Sequence, residues 1–455
     1  MVHTYRQGGY SIAVDVNSGA VHALSDAAFS VLERLDTAPD GETCPAEIAE
    51  ALAPSFDRAT CDAAYRELVE LTRAGLLFSK DDYIDVSRAF PEHPPLKALC
   101  LHIAHDCNLR CGYCFASTGD FGTGRKLMPV EVARAAIDFV IKRSQNRRNI
   151  EIDFFGGEPL MAFDTVKAAV EYAKEQGKLH DKVFRFTITT NGLALNQDSI
   201  DYINREMSNV VLSLDGRREV NDRVRKTVSG GGSYDYIVPK FKALVSARDK
   251  DRDYYVRATF THDNLDFTQD VLHIAELGFD QVSVEPVTAE DGSRYALHEA
   301  DLPQIFAEYD RLAEIMKERR DFNFFHFMVD LEQGPCVIKR IRGCGAGYEY
   351  AAVTPEGDVY PCHQFVGKDE YCMGNVMDDT FDPAISEQFM GLNICTRDAC
   401  KNCWAKFYCS GGCSAANLNM NGNLRDPYEL GCELERKRLE CAIMLKVHDA
   451  LNDQA

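Results

Sequence analysis

An α/β fold organised on a parallel sheet follows from three features of the sequence. Six short apolar runs alternate with six amphipathic helical segments between Leu96 and about residue 330. Polar residues and glycines gather at the same end of every run except the fifth. The stretches on either side differ in composition and read as separate units. Strand–helix alternation implies parallel strands joined by right-handed crossovers, and six repeats make a partial (β/α)6 barrel or an open sheet. In barrels of this kind the chemistry collects at the C-terminal ends of the strands.

Residues 1–85 precede the repeat. Tyr10–Val16 alternates as a half-buried strand, Asn17-Ser18-Gly19 marks a turn, and Ala20–Leu24 returns as a second strand. Helices are predicted at Asp26–Leu35 behind a capping Ser25 or Asp26, at Pro45–Leu52, and at Arg58–Ala74, which stops at Gly75. Leu76–Phe78 is predicted as an edge strand. A hairpin followed by three helices is a winged-helix-like outline, but it lacks the Lys/Arg-rich helix that DNA binding needs. A strand edge beside a helix groove suits capture of an extended peptide; a purely structural appendage is the alternative. Residues 86–96, with Pro91, Pro94 and Pro95, read as a linker.

Within residues 97–330 the strands are predicted at Ala98–Ala104, Glu151–Phe155, Phe184–Thr190, Val210–Leu214, Tyr255–Phe260 and Gln281–Val287. Helices are predicted at Pro129–Arg143, Asp164–Gln176, Asp198–Glu206, Tyr234–Arg248, Asp266–Glu276 and Leu302–Arg319. A cysteine loop follows the first strand. Gly156-Gly157-Glu158-Pro159 follows the second, Thr189–Gly192 closes the third, Ser213 with Asp215-Gly216 closes the fourth, and Glu285-Pro286 lies near the end of the sixth.

The cysteine loop carries Cys107, Cys111 and Cys114 at C-x3-C-x2-C spacing. Three thiols on one tight loop can face one side of an iron–sulfur cube, which leaves one of its irons open. A structural zinc site closes with four protein ligands, and no fourth lies close by in sequence. From Gly334 onward the composition changes again. Eleven of the seventeen cysteines fall between Cys336 and Cys441, glycine is frequent, and no long helix is predicted before Glu433–Leu451. Residues 331–432 therefore need a staple, and metal is the favoured one. The spacing runs Cys344, Cys362, Cys400-x2-Cys403-x5-Cys409-x3-Cys413, Cys432. Residues 433–455 read as a C-terminal helix.

At 455 residues, 45% of them apolar, the chain has room for two to four domains. There is no apolar run of 18 residues, and the N-terminus lacks the apolar core of a signal peptide, so no membrane partner and a cytoplasmic location are expected. Disulfides are disfavoured there, which again points the cysteines at metal. A net charge of −21 disfavours nucleic acid as a partner.

The first triad together with Gly156-Gly157-Glu158 resembles the radical S-adenosylmethionine (SAM) superfamily. The C-terminal cysteines resemble the SPASM extension, which holds two auxiliary [4Fe–4S] clusters; its pattern, C-x9-15-G-x4-C, then C-x2-C-x5-C-x3-C, then C, is met in full. Residues 1–85 resemble the RiPP recognition element that binds leader peptides of ribosomally made, modified peptides. Leu99–Cys107 looks closest to maturases of six-cysteine (SCIFF, ranthipeptide) precursors, which form thioether links. The resemblance implies a TIM-like partial (β/α)6 radical SAM barrel, and SAM plus three [4Fe–4S] clusters as cofactors. A Cys-rich precursor peptide and an external flavodoxin or ferredoxin are the implied partners.

Residue by residue, the resemblance implies that Cys107, Cys111 and Cys114 bind the catalytic cluster, whose open iron takes the amino and carboxylate groups of SAM. Tyr113 is expected against the adenine. Gly156 and Gly157 are expected at the methionyl amine with Glu158 stiffening their loop, Ser213 and Asp215 at the ribose, and Arg225 at the carboxylate. Thr190 and Asn191 are expected at either end of SAM, and Glu285 is a further contact. Cys344, Cys362 and Cys413 are implied for the first auxiliary cluster, with Cys336 as its fourth ligand or an open iron in its place. Cys400, Cys403, Cys409 and Cys432 are implied for the second. Formylglycine formation, carbon–carbon cross-linking, or an iron–sulfur carrier without enzyme activity are the alternatives.

Overall fold

The computed structural model describes residues 1–83, 91, 93–289, 292–331 and 337–452. Cys336 and most of the expected linker lie outside the described residues.

Six strands, Ala98–His105, Asn149–Gly156, Val183–Thr190, Asn209–Ser213, Asp253–Phe260 and Gln281–Pro286, pair side by side in chain order, all parallel. The sheet does not close. Its first strand takes Tyr350–Val353 on the free edge, and its sixth takes the short Asn323–Phe324. The result is an open, partial barrel of the expected α/β class.

Two periodicities build it. On the helix Val130–Arg143 the residues Val132, Ala133, Ala136, Ile137 and Val140 are buried at three- and four-residue spacing, one apolar stripe against the sheet. On the first strand, Leu99, Leu101 and Ile103 enter the large core with Ile152 and Phe154 of the second. Cys100, pointing the other way, joins a separate apolar cluster with Tyr360 and Phe365 of the cysteine-rich segment. The first strand is thus buried on both faces, and the C-terminal segment is packed against the inside of the barrel.

At the N-terminus a three-stranded antiparallel sheet, Val2–Gln7, Tyr10–Asp15 and Val21–Leu24, precedes helices Asp26–Leu32, Ala46–Leu52 and Arg58–Arg73. Two expectations change. Val2–Gln7 is an additional strand, joined through Gly8-Gly9 at φ +58° and +86°, backbone that glycine adopts freely. Leu76–Phe78 is not a strand, because Phe78 at φ +53° turns the chain out of extended geometry. This unit docks on the C-terminal helix. Tyr5 donates its hydroxyl to the Glu440 carbonyl at 3.1 Å, and the His3 ring stacks on Trp404 at 3.9 Å. The C-terminal helix runs Glu429–Asn452, starting earlier than expected and taking Cys432 into its first turn. No described helix is long and apolar enough to cross a membrane.

Candidate functional site

One cavity of about 200 Å³ opens at the C-terminal ends of the strands. Cys107, Cys111 and Cys114 line it, as do nine of the ten expected SAM-contact residues: Tyr113, Gly156, Gly157, Glu158, Thr190, Asn191, Ser213, Arg225 and Glu285. The cysteine loop is held by a two-stranded ribbon in which Leu109–Cys111 pairs antiparallel with Arg225–Thr227, Cys111 opposite Arg225. Gly119, at φ +102°, lets the loop fold back, since a Cβ there would sit 2.5 Å from that of Cys107.

Gly157 is needed for close approach. Its N–H donates to the Ala104 carbonyl at 2.7 Å, and an added Cβ would lie 2.2 Å from the Asp106 carbonyl oxygen. Glu158 is fully buried and turned into the protein. It accepts from the Thr190 hydroxyl (2.8 Å), the Asn191 N–H (2.8 Å) and the Leu160 N–H (3.1 Å). Burial pushes its carboxyl up to about 7, while those donors pull it back down. Glu158 therefore clamps the glycine loop to the third strand. Asn191 in turn reaches the triad, with Nδ2 2.8 Å from Asn108 Oδ1 and 3.5 Å from Cys107 Sγ.

Asp215 stands behind the cavity wall rather than in it. Tyr113 donates its hydroxyl to Asp215 Oδ2 at 2.7 Å, Arg225 Nε lies 3.0 Å from the same oxygen, and the Thr259 N–H donates to Oδ1 at 3.1 Å. Burial opposes the Arg225 charge, but Asp215, Tyr113 and Cys111 hold the guanidinium charged, above its ordinary value. Glu285 is ion-paired with Arg257 of the fifth strand. The fifth strand thus supplies Arg257 and Thr259 to the cavity, and the C-terminal segment supplies His363. None of the three was expected. The alternation of Tyr255, Arg257 and Thr259 was the signal for the first two, and a polar residue directly after the motif cysteine Cys362 was the signal for the third.

Seven cysteines of the C-terminal segment, Cys344, Cys362 and Cys413 with Cys400, Cys403, Cys409 and Cys432, fall into two neighbourhoods. Burial, then Cys413 and Cys344, push the Cys362 thiol up, and Cys413 is raised by burial and by Cys344. Separately, burial, Cys432 and Cys400 push Cys409 up to about 11, and Cys432 reaches about 11 through burial, Glu429, Cys400 and Cys403. Neighbouring backbone N–H groups pull several of these thiols back down: Gln364 and Phe365 act on Cys362, Gly411 and Gly412 on Cys409, and Ala415 and Ala416 on Cys413. Cys44, Cys61, Cys100 and Cys441 are buried, and Cys441 Sγ accepts from Gln7 Nε2 at 2.9 Å.

The donor chemistry fits iron–sulfur cubanes. Among the described residues no three His, Cys, Asp or Glu side chains converge closely enough to share a single metal ion. A cubane needs no such convergence, because each thiolate binds a different iron, and the Leu109 N–H donated to Cys107 Sγ at 3.4 Å is the kind of bond a cluster thiolate takes up. At the first triad, three thiols beside a cavity floored by two glycines leave room for a ligand on the fourth iron. The SAM-contact set fits as well, except that Asp215 is engaged by protein groups.

Residues 101–251 match the model of the radical SAM superfamily, and residues 344–404 match SPASM, an iron–sulfur cluster-binding domain. The chain is 24% identical to a cysteine-type anaerobic sulfatase-maturating enzyme of Clostridium novyi, over 70% of this chain and 87% of that one. It is 26% identical to the mycofactocin maturase MftC of Mycolicibacterium smegmatis, over 70% and 79%. Among solved structures it resembles anSMEcpe with bound AdoMet (TM-score 0.64, 20% identity, 79% of this chain and 100% of that one). It also resembles Streptococcus suis SuiB bound to S-adenosylmethionine (TM-score 0.55, 15% identity, 94% and 98%). The chain carries a radical SAM domain followed by a SPASM iron–sulfur cluster-binding domain.

Proposed function

We propose that the chain is a radical SAM maturase that forms thioether cross-links between a Cys sulfur and a carbon of another residue in a ribosomally made precursor peptide. The observation that carries this reading is a juxtaposition. The SAM-type cavity and a second cavity of about 310 Å³, lined by Cys409, Cys413 and Cys432, share the wall Pro286–Thr288. A peptide lying along that wall has its reacting carbon on one side and a cysteine-rich set on the other, which is the orientation a C–S bond needs.

Residues 1–85 supply the peptide-recognition half of the proposal. Val21–Leu24 is one of the two edge strands of its sheet, a place for strand addition, and SuiB, solved with its precursor peptide SuiA, matches 93% of this chain. When bound, a reduced cubane with SAM on its open iron supplies a 5′-deoxyadenosyl radical. The chain's own residues orient and exclude. Gly156 and Gly157 bring backbone to the cofactor, Glu158 and Asn191 fix that loop against Cys107, and the buried Tyr113–Asp215–Arg225 group sets the adenosyl side. Each cross-link removes one hydrogen from sulfur and one from carbon. One hydrogen atom would go to the 5′-deoxyadenosyl radical, giving 5′-deoxyadenosine, the thiol hydrogen would leave as a proton, and the one electron left over is what bound auxiliary clusters would accept.

A second reading, oxidation of a Cys or Ser to formylglycine, is favoured by the anaerobic sulfatase-maturating relatives. Anaerobic incubation with precursor, SAM and a reductant separates the two. The proposal expects 5′-deoxyadenosine and a peptide lighter by two hydrogens per cross-link, with one free thiol lost each time. Product with an aldehyde in place of the thiol would replace it with the second reading.

A further inference from the structure

Arg397 occupies an unusual place in the cysteine-rich segment. It is 2% exposed and lies between the two cysteine neighbourhoods: Cys400, Cys409 and Cys432 of one and Cys413 of the other all act on it electrostatically. Its hydrogen bonds go to neutral oxygens, from Nη1 to the Arg425 carbonyl at 3.3 Å and from Nη2 to the Ser414 hydroxyl at 3.2 Å. Its Nε is buried with no hydrogen-bond partner. Among the described residues no carboxylate pairs with it. Gly411, in the Cys409–Cys413 loop, packs against its stem, where an added Cβ would lie 3.7 Å from Cδ. Arg436 gives the contrast: it also reaches this region, beside Cys403, but is ion-paired with both Glu429 and Glu433.

A buried guanidinium without a carboxylate is costly unless another negative charge compensates it. Among the described residues, the other ionisable groups that act on Arg397 are the Cys400, Cys409, Cys413 and Cys432 thiols, and a cubane held by thiolates is a net anion. Burial lowers its pKa, and the four cysteines act in the opposite direction.

We propose that Arg397 is a shared counter-ion for the two auxiliary clusters and sets their reduction potentials. The inference rests on the cluster assignment above. One-electron reduction adds one negative charge to a cluster, so a fixed cation close to both favours the reduced form of each. It also lessens the repulsion between them when an electron arrives on either. Arg397 acts through the clusters and is a positioning residue, not a catalytic one.

The test uses full-length protein with Cys107, Cys111 and Cys114 replaced by Ala, so that only auxiliary clusters remain, reconstituted anaerobically. EPR-monitored redox titration is run on this background and on Arg397→Gln, Arg397→Lys and Ser414→Asp. Arg397→Gln should shift at least one auxiliary midpoint to lower potential by a tenfold or larger change in the oxidised-to-reduced ratio, 59 mV for a one-electron couple. Arg397→Lys should stay within a third of that shift. Ser414→Asp, which pairs the guanidinium without removing it, should shift in the same direction as Arg397→Gln and keeps the test open if Arg397→Gln does not load iron. Unchanged midpoints at full iron content in the variants that load would overturn the proposal. An absence of iron in the parent background would instead overturn the cluster assignment on which it rests.

Discussion

Tyr113 and Asp215, 102 positions apart, are joined by a hydrogen bond of 2.7 Å from the phenol to Oδ2. The bond ties the cysteine loop to the end of the fourth strand, and Arg225 shares the same carboxylate oxygen. Asp215→Asn should therefore leave Arg225 buried without a charge partner and cost about 3–5 kcal/mol of stability. Tyr113→Phe, which spares the ion pair, should cost about 2 kcal/mol. Denaturant unfolding of the two variants checks the order; equal losses would mean that the ion pair is not the element holding this wall.

The glycine loop makes a sharper demand. Gly157→Ala places a Cβ 2.2 Å from the Asp106 oxygen, in backbone that cannot step aside. SAM affinity by calorimetry should fall at least tenfold while iron content stays unchanged. Gly122→Ala, at φ +74° with nothing within 4 Å of the new carbon, should cost only about 1 kcal/mol and leave SAM binding alone.

Asp153 sets a pH dependence. Burial, helped by Glu151, pushes its carboxyl up to about 7, with the Thr187 hydroxyl pulling back. The folded form then binds more protons than the unfolded form between about pH 4 and pH 7. The stability this gives is full below about pH 4 and is lost as pH rises through 7. Asp153→Asn, a fixed neutral side chain, should match the wild type at about pH 3, below both pKa values, and exceed it by on the order of 4 kcal/mol at pH 8. Parallel stability curves for the two proteins would contradict this.

The barrel was legible because its signals are local. Strands such as Asn149–Gly156 and helices such as Val130–Arg143 repeat apolar residues at two- and four-residue spacing, and the polar strand ends mark the site. What was not legible depends on long-range pairing. Nothing near Leu109–Cys111 announces its ribbon with Arg225–Thr227, and nothing near Asp215 says that Tyr113, Arg225 and Thr259 use both of its oxygens. Val2–Gln7 was missed although Gly8-Gly9 is a hairpin-turn pair. Leu76–Phe78 was over-read, since an apolar run cannot reveal a positive φ at Phe78.

Peptide recognition has its own test at the Val21–Leu24 edge. Successive residues of an edge strand point their N–H groups alternately inward and outward. Of His22→Pro and Ala23→Pro, one should remove an outward donor and weaken leader-peptide binding about tenfold or more by fluorescence anisotropy. Peptide-independent SAM cleavage should be unaffected. Equal leader affinity in both variants and the wild type would move the leader away from this edge.

The central claim is that three separate cysteine sets hold three cubanes, one of which takes SAM. Iron and sulfide analysis after anaerobic reconstitution tests it directly. The wild type should hold about twelve irons per chain, and replacing Cys107, Cys111 and Cys114 with Ala should remove about four of them together with all SAM binding. A wild-type count near four, or a triple variant that keeps its full iron content and its SAM affinity, would contradict it.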